Sequence, residues 1–152
     1  MIRFHRWFGI VLTVIFLGTG QYMRFVAHVS ALEMGPRLLY RTRHIYILMA
    51  ALINLTLGAY AITSHARGAR LLQRIASVLI IAGSMLLIVS FFYDPAHADL
   101  VPLDLVYSKW GIRAVAAGTA LHAIGAALRS RAATVEHVTV AATSASGIAS
   151  RQ

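Results

Sequence analysis

Three stretches of the 152-residue chain, Trp7 to Met23, Ile45 to Thr63 and Ile75 to Tyr93, contain no charged residue. At a rise of about 1.5 Å per residue, each is long enough as a helix to span a hydrocarbon layer about 30 Å thick. A fourth stretch, Leu105 to Leu128, carries Lys109 and Arg113. An arginine at mid-bilayer costs roughly 2.5 to 3.5 kcal/mol, less when it snorkels from near a helix end, and the apolar run that follows outweighs it. Four bilayer crossings account for nearly the whole chain.

The connections, 24–44, 64–74 and 94–104, are short, so successive helices are antiparallel neighbours. The expected fold is all-α, an integral membrane four-helix up-down bundle over 1–131. The Ala, Ser and Thr composition of 132–152 predicts a disordered tail. The first connection mixes apolar and cationic residues and is expected to lie as an amphipathic segment at the lipid surface, broken at Gly35-Pro36. Arg3 and Arg6 before an apolar core also fit a signal peptide, but no A-x-A site follows, so retention of the first span is expected.

Composition excludes most other classes. Apolar residues make up 59% and charged ones 12%, against about 25% charged in soluble domains. The absence of Cys removes disulfides, thiol catalysis and iron–sulfur clusters. A net charge of +9 would suit nucleic acid only as a stripe, whereas these cations are scattered between apolar runs, so no nucleic-acid partner is expected. Eight Lys and Arg fall on the side of the termini and the second connection, four to six on the other, which predicts a plasma-membrane protein, taken as bacterial, with both termini cytoplasmic.

At about 100° per residue, Gly111, Gly118, His122 and Gly125 share a face of the fourth span. His5, Gly9, Thr13, Phe16 and Gly20 share one in the first, and His44, Ala51 and Gly58 in the second, with Asn54 beside them; Ser77 and Ser84 recur at the same spacing in the third. These stripes read first as packing seams in which small residues let backbones approach. His5 and His44 stand at span edges, where imidazoles anchor at the interface, but His122 lies about two turns inside its run, and ionisable groups at such depth usually face a bundle interior.

His122, His5 and His44 are therefore the candidate haem ligands, with glycines such as Gly118 leaving room for a porphyrin. In helix count and membrane histidines the chain resembles the small four-helix b-type membrane cytochromes, a resemblance that implies haem b and electron exchange with quinone. Arg37, Arg41 and Arg43, near tyrosines, are candidates for an anion or lipid headgroup. The run DPAHAD offers Asp94, His97 and Asp99 as weak ion donors, and no carboxylate is expected within the spans.

No HExxH, GxSxG, Walker A or GxGxxG pattern is present, so hydrolase and nucleotide chemistry lack support and no catalytic residue is assigned. The leading expectation is an accessory, assembly or packing component that meets lipid, a membrane-protein partner or a second copy through its glycine seams. The alternatives are a haem-dependent membrane oxidoreductase and a small permease.

Overall fold

The structure is a computed structural model that describes residues 2–60, 67–96 and 105–149, with side chains placed over 3–60, 68–95 and 105–128. It is all-helical among the described residues: α1 (Ile2–Phe25), a single 3-10 turn (Val29–Ala31), α2 (Met34–Tyr60), α3 (Arg67–Ala96) and α4 (Val106–Ala149). All four helices are long and apolar enough to cross a membrane, which makes this a multi-pass membrane bundle.

The helices outrun the charge-free stretches, because the hydrocarbon layer limits the apolar run and not the helix. α2 begins at Met34, eleven residues before Ile45. The amphipathic first connection is thereby corrected: only 26–33 join α1 to α2, and Gly35-Pro36 opens a helix instead of breaking one. Proline is at home in a first helical turn, where its missing N–H would have had no partner. His28 makes the reversal in the left-handed region, at φ 43, a conformation that His adopts more readily than most residues. α4 runs as helix to Ala149. Alanine is the strongest helix former and no proline interrupts that run.

Each helix packs on the next, and α2 also touches α4. Among the described residues no Cα atoms of α1 and α4 come within 8 Å, so these two backbones stand apart. Leu12, Ala50, Ala51, Leu87 and Val115, drawn from all four helices, close the apolar centre. Trp7, Tyr60 and Trp110 are exposed near helix ends, as interfacial aromatics are.

The predicted seams exist, and they are occupied within the chain. A Cβ on Gly118 would lie 2.6 Å from the Ala76 carbonyl oxygen, one on Gly111 2.8 Å from Leu87 Cδ2, one on Gly9 2.8 Å from the Leu55 backbone nitrogen, and one on Gly58 2.5 Å from that of Arg6. These glycines let α4 close on α3 and α1 on α2. Gly125 is looser, with only Leu72 Cδ2 at 4.0 Å.

Candidate functional site

Two polar clusters interrupt the apolar interior, one at each end of the bundle. At the first end, the opening turns of α1 and α3 meet the closing turns of α2 and the middle of α4. His5 is 2% exposed, inside the bundle and not at its rim. Its Nδ1–H donates to Asn54 Oδ1 at 2.7 Å. The Asn54 amide donates in turn to the Ala50 carbonyl at 2.9 Å and to Ser84 Oγ at 3.3 Å, which fixes which side of the amide faces His5. Ser84 passes its proton to the Ile80 carbonyl at 2.7 Å.

This chain of donors has a chemical consequence at the far side of the imidazole. With the proton held on Nδ1, the lone pair of neutral His5 resides on Nε2, the form in which histidine binds metals. Nε2 is buried and has no hydrogen-bond partner. An unmet buried polar atom costs about 1 to 3 kcal/mol.

The nearest imidazole belongs to α4. The His5 and His122 rings stand 6.2 Å apart between centroids, with planes at 84°. A hydrogen bond of 3.2 Å joins His122 Nε2 to Ser77 Oγ. The two rings thus bridge the side of the bundle where the backbones of α1 and α4 stand apart. The glycine beside His122 does not supply space for a cofactor, because Gly118 is closed against Ala76 and Ile80.

The third candidate ligand, His44, is placed at the opposite end. Thr19 gives its hydroxyl proton to the Phe16 carbonyl at 2.9 Å, so its oxygen accepts from His44 Nδ1–H at 3.0 Å. The His44 ring stacks on Phe16 at 4.1 Å, and its edge lies where a Gly20 side chain would be, 3.4 Å from an ideal Cβ. His44 does not join His5 and His122.

The three arginines are separated from one another in role. Arg37 donates to the Leu32 carbonyl, with Nη2 at 2.6 Å. Arg41 is exposed. Arg43 is 4% exposed and donates from Nε to Asp94 Oδ2 at 2.6 Å, its guanidinium carbon 5.3 Å from the Tyr46 ring centre. Asp94 corrects two expectations at once. It belongs to the membrane-spanning part of α3 and not to a loop, and it is a carboxylate buried within a span. Its other oxygen, Oδ1, is buried without a partner. His97 and Asp99, its companions in DPAHAD, lie outside the described residues, and among those described no group of three metal-binding side chains occurs.

Sequence reasoning missed the Arg43–Asp94 pair although a signal for it exists. Arg43 stands two residues before one charge-free run and Asp94 one residue after the next, and antiparallel helices bring those two positions to the same level.

Compared with known proteins, the chain matches no family model, no curated protein sequence and no solved structure.

Proposed function

We propose that the chain is a membrane electron carrier that holds a b-type haem between His5 and His122. The unpartnered Nε2 of His5, on a ring whose centre stands 6.2 Å from that of His122, is the observation that supports this most. His5 and His122 would be the residues that hold the iron, from α1 and α4 respectively. Asn54 plays the part of the outer partner that orients a ligating histidine and raises its basicity. His122, which is hydrogen-bonded to Ser77 Oγ, would be the second ligand. Bound there, haem supplies one-electron chemistry, and the chain supplies ligands, orientation and an apolar surround.

The orientation proposed is termini-inside in a plasma membrane, supported by the surplus of Lys and Arg on that side. A reporter fused to the C-terminus should be active only in the cytoplasm; activity outside would reverse it.

An accessory or assembly role, through a membrane-protein partner or a second copy, would need a surface other than the glycine seams, which are filled by neighbouring helices. Visible absorption of detergent-purified protein from haem-replete cells separates the two functions. A Soret band is expected for the haem carrier, and a colourless preparation would leave the accessory role standing.

A further inference from the structure

We propose that the lipid-facing side of α4 holds a phospholipid with a net negative headgroup, whose phosphate is bound by Lys109 and Arg113. Both residues are exposed, and both belong to the membrane-spanning part of α4, Val106–Leu128. They are four residues apart and so lie on one face of the helix. Arg113 stands seven residues past Val106, about 10 Å along the helix. Neither cation has a carboxylate: among the described residues the one ion pair is Arg43–Asp94. Like charges at this spacing repel, and Lys109, in the first turn, also meets the positive end of the helix dipole. The pair thus weakens the helix that carries it. An anion held by both cations turns each of these repulsions into an attraction.

The surroundings say which anion. Trp110 is 57% exposed, and its ring centre lies 5.4 Å from the Arg113 guanidinium carbon. Indoles settle at the level of lipid headgroups, and an arginine drawn to that level keeps its stem in the apolar layer and its charge among phosphates. Beyond Arg113 the same face continues with Ala117, Ala120 and Ile124, all exposed. The two short side chains leave room for an acyl chain to lie along the helix. Charge selects the headgroup: a zwitterionic lipid brings its own ammonium, which two cations repel, whereas an anionic lipid satisfies both. An acidic partner helix would also match in sign, but it would have to carry its carboxylate into the membrane at a cost, while the phosphate is already there.

The site is separate from the histidine pair. His122 is nine residues after Arg113, half a revolution around α4. A colourless protein would defeat the haem proposal and leave this one untouched.

The test is fluorescence quenching in vesicles. Trp7→Phe leaves Trp110 as the only tryptophan. The full chain is reconstituted in phosphatidylcholine containing equal fractions of either phosphatidylglycerol or phosphatidylethanolamine brominated in the acyl chains, since bromine quenches an indole only near contact. The expected result is an apparent affinity about 25-fold higher for the anionic lipid, roughly five-fold for each basic residue. The preference should vanish in Lys109→Gln plus Arg113→Gln, which removes a repulsion and so should not impair folding, and persist in Arg70→Gln plus Arg74→Gln. Equal quenching by the two lipids would overturn the proposal and leave the cations to a carboxylate, in a partner protein or at Asp99 or Asp104, which lie outside the described residues. A preference that survives Lys109→Gln plus Arg113→Gln, or one abolished by inorganic phosphate, would overturn it as well, the latter by assigning the site to a free anion.

Discussion

Among the described residues, the two ends of the bundle each bury one polar atom without a partner, in different electrostatic settings. At the His5 end an amide orients an imidazole, and what remains is a lone pair. At the Arg43 end two full charges meet at 2.6 Å, and what remains is the second oxygen of a carboxylate. The first is a lone pair on nitrogen, and the second a spare carboxylate oxygen beside an arginine. The comparison also separates stability from function, since a buried charge pair holds its two helices hard together, whereas an unmet imidazole nitrogen contributes nothing to holding α1 against α4.

The largest effect should fall on the charged end. Asp94→Ala leaves Arg43 buried and unpaired and should cost about 3 to 5 kcal/mol, with Arg43→Met plus Asp94→Leu recovering most of it. Denaturant unfolding in mild detergent measures both, and an Asp94→Ala protein as stable as the parent would show that the pair is solvated. Next comes the α3/α4 seam. Gly118→Val places a side chain against the Ala76 carbonyl, and overpacking of this kind costs about 1 to 3 kcal/mol; an unchanged unfolding curve would mean that the helices part freely there.

At the histidine end, Asn54→Leu removes the acceptor for His5 Nδ1–H and should cost about 1 to 3 kcal/mol. It should also broaden or shift the haem band, because the ligand loses its orienting partner. A stability loss with an unaltered spectrum would demote Asn54 to a packing residue. The smallest effect is expected at Gly18, where a Cβ meets nothing within 4 Å. Gly18→Ala should raise stability by about 0.5 to 1 kcal/mol from helix preference alone, and destabilisation would reveal a contact on that face.

The fold was largely legible because each helix is written as an uninterrupted apolar run, and no tertiary information is needed to see one. The seams were legible as well: Gly111 and Gly118 recur at helical spacing and do press on α3. Helix ends were not, since Met34 to Arg43 read as a basic connection when judged by charge alone, although Leu and Arg are good helix formers. The site was half visible. His122 stood out by its depth, but nothing local marks Asn54 as the group that sets the His5 tautomer. Asp94 escaped because a charge at the end of an apolar run is ordinarily a loop residue, and only its pairing with Arg43 across two helices keeps it inside.

The haem content of the purified protein, measured as pyridine haemochrome per chain, tests the central proposal most directly. One haem per wild-type chain is expected, reduced to near zero in His5→Ala and in His122→Ala and unchanged in His44→Ala, which lies at the other end. No haem in the wild-type protein, or equal content in all three variants, would contradict it.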